Sequence, residues 1–379
     1  MQKKFFTDCV DIVGSACKQY DGEKNYISTG AVDVDYIVPS EVEQFDYINR
    51  PSRANLEVNK GDILFAKMQG TKKTLLINEL LAQNVYSTGF CAVRPKEGIL
   101  IERCLYHLVS SEIFLLQKDK NCSGATQKAI TNAGLGKIMI KVPEYDSQEM
   151  LADELDKLAK IIKRRKSQLE KMDELIKARF VELFGDPVSN SKRLPIATLP
   201  ELGEFGRGIS KHRPRNDPNL LGGEYPLIQT GDVAAAELYI TDYSATYSEL
   251  GLKQSKMWNK GTLCITIAAN IAKTAILTFD ACFPDSVVGF MANERTSNIF
   301  IHYWFSFFQA ILESQAPESA QKNINLKILS ELKVINPSKE AQVEFERFVK
   351  QVDKSKVVVQ KALYEAQLLF DSLMQEYFG

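Results

Sequence analysis

The chain has 379 residues, enough for two or three domains, and its 45% hydrophobic and 25% charged residues are those of a soluble globular protein. A formal charge of −1 excludes indiscriminate coating of nucleic acid, but not a local basic face that binds one sequence. No apolar run reaches the ~18 residues of a membrane span, and the first residues lack a signal-peptide core. Seven scattered cysteines without a C-x-x-C pair fit free, mostly buried thiols in a reducing compartment. The expectation is a cytoplasmic protein with no membrane contact.

Up to Pro143 the chain reads as short β segments punctuated by Gly, Asn and Asp. Asp62–Ala66 follows a Lys-Gly turn and predicts a strand, Ser87–Val93 another, and Glu102–Gln117 one apolar helix. Val142-Pro143 stops the last strand. From Gln148 to Gly185 apolar residues recur at alternating steps of four and three: Leu151, Leu155, Leu158, Ile162, then Leu169, Met172, Ile176 and Leu183. This is a heptad seam with Arg165 and Arg179 on its stripe and Gly185 placed as the helix C-cap. So narrow a stripe on so long a helix suits a single partner helix rather than a globular core.

After this helix the pattern returns. Thr262–Ile267 and Asp285–Met291 read as strands, Ile299–Leu312 as an apolar helix, and Asn336-Pro337 as another strand stop. The aromatics Tyr303, Trp304, Phe305, Phe307 and Phe308 could stack on bases, but at this density they read as core. Gln342–Gly379 then matches Gln148–Gly185 in length, opening on Gln and closing on Phe-Gly. At a shift of 194 the seam lands on Phe345, Val349, Val352, Lys356, Val359, Leu363, Ala366, Phe370, Leu373 and Tyr377. The breaks complement: Arg165 aligns with Val359 and Ile162 with Lys356. Two matched helices in one chain imply an intramolecular antiparallel coiled coil.

The repeat includes the domains. Ile27–Val32 answers Ile228–Val233, and Asn59–Leu64 answers Asn259–Cys264 at a shift of 200. Lys73-Thr74 and Lys273-Thr274 keep that shift, as do Gly89-Phe90 and Gly289-Phe290. Gln127-Lys128 then matches Gln321-Lys322, and Pro143 matches Pro337, at 194. The fold class is α+β: two repeated mixed α/β domains, 1–146 and 186–338, separated by two long helices, 147–185 and 339–379, that form the coiled coil.

This layout resembles the specificity subunit of a type I restriction–modification system over essentially the whole chain. The residues that carry the resemblance are Arg164–Leu175 and Ala178–Pro187 on the first long helix, Gly222–Val233, and the two Gln-Lys segments ahead of the helices. The resemblance implies two target-recognition domains held apart by paired helices, each reading half of a split site in double-stranded DNA. It implies two methyltransferase subunits docked along the helices and, where a nuclease is retained, restriction subunits. S-adenosylmethionine, ATP and Mg would then reside on those partners, and this chain would hold no cofactor and catalyse nothing. The competing readings are a stand-alone methyltransferase or nuclease, and an adaptor whose coiled coil joins two protein-interaction modules without nucleic acid.

Given that fold, the most basic stretch, Gly206–Asp217, is the first candidate for DNA contact, through Arg207, Ser210, Lys211, His212, Arg213 and Arg215. Gly206 to Gly231 is about nine residues longer than Gly14 to Gly30, so this loop is no shared framework element. Arg and Lys there can reach phosphates, and Arg can also bond guanine bidentately; the alternative is a solvated charged loop. Gln229 and Thr230, with Ser28 and Thr29, follow strands and offer groups for base edges or phosphates, or form structural turns. Lys67, Gln69, Lys72 and Lys73, with Lys273 opposite, form a basic run suited to phosphates or to a solvated hairpin. Lys128 and Lys322 occur in both halves, which favours backbone contact or packing over sequence readout. Metal and catalysis come out negative. Cys104, His107 and Cys122 lack zinc spacing, no Gly-rich phosphate loop occurs, and Asn336-Pro337-Ser338 lacks the rest of an amino-methyltransferase motif.

Overall fold

The computed structural model describes residues 2–268, 270–315 and 324–379. The chain divides into two compact units that do not follow its linear order: Met1–Ser167 with Val359–Gly379, and Gln168–Val358.

In the first unit an antiparallel sheet runs Val10–Val13, Phe90–Pro95, Ile63–Ala66, Thr74–Leu76. A second sheet runs Glu43–Phe45, Lys24–Ile27, Val85–Ser87, Ala54–Leu56, with its middle pair parallel. A ribbon pairs Gln2–Phe5 with Met139–Val142. The second unit repeats these orders strand for strand. Its first sheet runs Gly203–Arg207, Val287–Ala292, Leu263–Thr266, Thr274–Leu277, and adds Tyr239–Ile240 at the edge. Its second runs Ala245–Tyr247, Leu221–Leu227, Ala281–Cys282, Met257–Trp258, the middle pair again parallel. Ile196–Thr198 and Lys333–Ile335 make the matching ribbon.

The Lys-Gly turns that open the central strands are equivalent in detail. Gly61 and Gly261 have φ of +87° and +91°, a region that favours glycine. Their amides bond the carbonyls of Ile77 and Leu277 at 2.8 and 2.9 Å. One sequence match fails. Phe90 lies opposite Ala66 whereas Phe290 lies opposite Leu263, so Gly89 sits in a turn and Gly289 in mid-strand against Trp258. Likewise the strand expected over Ser87–Val93 is two strands, divided at Thr88-Gly89, where the Thr88 amide bonds the Arg53 carbonyl at 2.9 Å.

The single helix expected over Glu102–Gln117 is also divided, into Glu102–Ser110 and Glu112–Lys120. The Ser111 hydroxyl accepts the Phe114 amide at 3.1 Å and caps the second piece. Its counterpart, Asn298–Gln315, is continuous, and Trp304 and Phe305 are wholly buried in the core, as their density predicts. Cys104 and His107 are core residues too, the imidazole 2.7 Å from Asp156.

The long helices run Gln148–Phe184, ended by Gly185 at φ +75°, and Lys339–Phe378. Each unit contains the start of one and the end of the other, which makes the pairing antiparallel. In the first unit Leu151, Ala152 and Leu155 share a core with Met374, Tyr377 and Phe378, and the Tyr377 hydroxyl donates to Glu154 at 2.9 Å. In the second, Ile176, Phe180 and Phe184 share a core with Phe345, Val349 and Val352. The buried stripe thus passes through Phe180 and Phe184, not Arg179. That guanidinium lies beside the seam and pairs with Glu182 and Glu344.

The matched glutamines fasten the helices to the domains. Gln148 and Gln342 are wholly buried. The Gln148 amide donates to the carbonyls of Ile99 (2.8 Å) and Pro143 (3.0 Å) and accepts the Ile101 amide (2.9 Å). Gln342 donates to Arg295 and Pro337, both at 3.0 Å, and accepts the Thr296 hydroxyl at 3.1 Å.

Candidate nucleic-acid interface

In the first unit, hydrogen bonds draw together segments far apart in sequence. The Lys67 amide bonds the Gly89 carbonyl at 2.9 Å, the Gln69 amide bonds the Lys128 carbonyl at 3.0 Å, and Ile130 bonds back to Lys67 at 2.9 Å. The Lys73 ammonium donates to the Thr29 carbonyl at 2.7 Å, and the Ser28 hydroxyl accepts the Ala31 amide at 3.1 Å. The predicted residues Ser28, Thr29, Lys67, Gln69, Lys72, Lys73 and Lys128 therefore belong to one linked set of loops. Gln69, Lys72 and Lys128 are exposed, and Ser28, Thr29, Lys67 and Lys73 half-buried. Exposed ammoniums here can meet phosphates, and the Gln69 amide has the donor and acceptor that a base edge requires. Lys73 is committed to a carbonyl, so it positions the Ser28-Thr29 turn.

The loop has an anchor that sequence reading missed. Lys118, with no exposed surface, donates to the carbonyls of Ala66 (3.3 Å), Met68 (3.0 Å) and Thr71 (2.9 Å). Its neighbour Asp119 accepts the Gly70 amide at 3.0 Å through its carboxylate and the Gln69 side chain at 3.3 Å through its carbonyl. The only advance signal was a lysine one helical turn after Phe114, the other buried side chain of that helix.

In the second unit Arg207 ends the edge strand, exposed, opposite Val288. Ser210 is buried, and Lys211, His212, Arg213 and Arg215 are exposed. The loop is organised. Gln254 accepts the amides of Lys211 (2.6 Å) and His212 (3.1 Å), and Arg213 donates to the carbonyls of Ser210 (2.6 Å) and His212 (2.8 Å). Arg215 pairs with Asp285, and Arg213 lies 3.6 Å from the same carboxylate. His212 is 3.0 Å from Asp217, whose carboxyl is held below its usual range first by the Asn219 amide. Asp285 and Gln254 thus hold the predicted loop in place, and the sequence did not disclose them.

Gln229 and Thr230 open a short helix, Thr230–Ala235, whose Asp232 carboxylate accepts the Gln229 amide at 2.7 Å. Ser28 and Thr29 instead precede a two-stranded hairpin. Lys273, aligned with Lys73, lines a cavity of about 340 Å³ with Asp173, Glu237, His302, Asp353 and Lys356. Lys322 lies outside the described residues.

The sequence model of the type I restriction modification DNA specificity domain matches residues 11–171 and again 197–366. The chain belongs to this family. It is 20% identical to the EcoKI specificity subunit of Escherichia coli K12 over 347 residues, covering 84% of this chain and 73% of that one. It is 24% identical to the EcoBI specificity subunit of Escherichia coli over 325 residues, covering 76% and 67%. A solved S subunit from M. genitalium aligns over 100% of this chain and 96% of its own, with a TM-score of 0.59 at 14% identity. A chain from a type I system solved in a study of complex assembly and conformational transition gives 0.54 at 17%, covering 99% and 97%. The structures show the fold, and family membership decides against both the enzyme and the adaptor. This specificity subunit is the noncatalytic, DNA-recognising component of its system. Among the described residues no helix is long and apolar enough to cross a membrane.

Proposed function

We propose that each unit reads one half of a bipartite double-stranded DNA target. The first would use the Lys67–Lys73 loop with its Thr29 and Lys128 neighbours, the second the Arg207–Arg215 loop. Methyltransferase subunits dock along the long helices, with restriction subunits joining where the system retains them. S-adenosylmethionine, ATP and Mg stay on those partners, and the assembly works in the cytoplasm. The observation that supports this reading is the repetition of one strand order in both units while their polar loops differ. A shared framework with divergent loops suits two readers of unrelated half-sites.

The test is an exchange. Replacing residues 186–338 by a homologue's domain, in complex with the methyltransferase, should change one half of the methylated motif. Change in both halves would overturn independent reading. Arg213→Ala and Arg215→Ala should each weaken binding. A lost base contact costs about 1–3 kcal/mol and relaxes one position, while a lost phosphate contact weakens all sequences and lowers the salt slope.

A further inference from the structure

The loop between Ile63–Ala66 and Thr74–Leu76 has a counterpart between Leu263–Thr266 and Thr274–Leu277, and the two are held by different chemistry. In the first unit the Lys118 ammonium sits among the carbonyls of Ala66, Met68 and Thr71, which use all three of its donors. In the second, the Thr266 hydroxyl closes the loop itself. It accepts the Lys273 amide at 3.0 Å and lies within hydrogen-bonding reach of the Asn270 and Lys273 carbonyls. Thr266 stands where the first unit has Ala66, since Thr74 faces Phe65 as Thr274 faces Ile265. In sequence, the offset of 194 that relates Gln148 to Gln342 and Ile130 to Ile324 aligns Lys118 with Leu312, which is buried in the core of the second unit. Lys118 beneath Ala66 in the first unit and the Thr266 hydroxyl in the second are thus alternative ways to fasten one loop.

A fully buried lysine is costly unless its bonds are satisfied. The second unit repeats the same strand order with a buried leucine, Leu312, at the aligned sequence position. What the lysine adds is a fixed path for residues 67–71, which carry the half-buried Lys67 and the exposed Gln69, with Lys72 next in the chain. We propose that Lys118 is the positioning residue for DNA recognition by the first unit, acting through the Lys67–Lys72 loop and with Asp119 as its auxiliary. This rests on the proposal that the loop contacts DNA.

The test uses the full specificity subunit with its methyltransferase, scored by methylation of a DNA library randomised across the target. Lys118→Leu should lower methylation roughly tenfold to hundredfold and blur bases in one half-site only, and Ala66→Thr added to it should restore both. Asp119→Asn, which keeps the side chain's size but removes the carboxylate 3.4 Å from the Lys118 ammonium, should shift the same half-site less, so the inference stays exposed even if Lys118→Leu fails to fold. Faster amide hydrogen exchange over residues 67–71 in either variant reads the clamp directly. Loss spread equally over both half-sites, no rescue by Ala66→Thr in a folded variant, or a loosened loop with unaltered specificity would overturn the proposal. Gln69→Ala with Lys72→Ala on an intact clamp separates the premise. If that pair changes nothing, the loop does not touch DNA, whatever Lys118 does.

Discussion

Where the first unit has Ala66 and buried Lys118, the second has Thr266 and buried Leu312. Where the first follows Ile27 with a hairpin, the second follows Ile228 with a short helix. Against these differences stand features that both units share: the glycine turns at Gly61 and Gly261, the buried Gln148 and Gln342, and the order of the common strands in both sheets. The contrast separates two kinds of constraint. Backbone groups that must be satisfied wherever strand meets helix tolerate few solutions, so the framework persists. Loops at the sheet edges need only be fastened somehow, so their fastenings diverge, and with them the polar groups they expose.

The most severe way to break the comparison is to remove part of one unit from a distance. Ending the chain after Val358 deletes Met374, Tyr377 and Phe378 from the core of the first unit, although residues 2–142 stay intact. The second unit keeps its own share of that helix, Phe345, Val349 and Val352. The first unit should lose its hydrogen-exchange protection and the second retain it. Phe378→Ala alone should cost about 3–5 kcal/mol, and Phe184→Ala about as much in the other unit. Protection of residues 2–142 in the shortened chain would show that the first domain does not need the helix.

Smaller effects test the glutamines. Each holds two carbonyls and a donor in a dry site, so Gln148→Ala and Gln342→Ala should each cost about 2–3 kcal/mol by leaving these unpaired. Their separate locations predict costs that add within about 0.5 kcal/mol. Equal costs would confirm that the fastening is the same device twice. Denaturant midpoints of the two single variants and the double variant give the answer.

What was legible in the sequence follows the same division. The long helices, their closing glycine and the paired glutamines carry periodic or positional signals, and so do the Asn-Lys-Gly turns. The match of Gly89-Phe90 to Gly289-Phe290 misled because two residues carry too little information to fix a register, which the strand pairing places differently. The break at Ser111 was hidden because both sides keep helical composition. Lys118 and Asp285 were illegible for a deeper reason: their roles exist only once distant loops meet them. For the predicted basic residues, sequence supplied the segments, and folding decided which groups were free. Arg213 and Arg215 share Asp285, while Lys73 is spent on a carbonyl.

The smallest expected effect concerns the seam, where Lys356 takes the position that Ile162 holds at the 194 offset. Lys356 is 5% exposed, donates to Asp173 at 2.8 Å and pairs with Glu237. Burial works against its ammonium, but the two carboxylates outweigh burial and hold its pKa above the usual range. Those carboxylates are 52% and 59% exposed, so water would solvate them if the lysine were gone. Lys356→Ile copies the other helix, keeps the packing and spares the cost of burying a charge, so it should stay within about 1 kcal/mol of wild type at pH 7. Lys356→Ala, which leaves a hole, should cost more. Any deficit of the isoleucine variant has a sign in pH. Burial already raises Asp353, Lys356 opposes that rise, and its removal lifts the folded pKa further above 3.8. A carboxyl raised on folding weakens the fold as pH climbs from the unfolded value through the folded one, so the deficit should be present at pH 7 and shrink toward pH 4. Urea midpoints at both pH values decide the matter. A loss above about 3 kcal/mol that persists at pH 4 would mean that the Lys356 pairings hold the second unit in a way the first does not need.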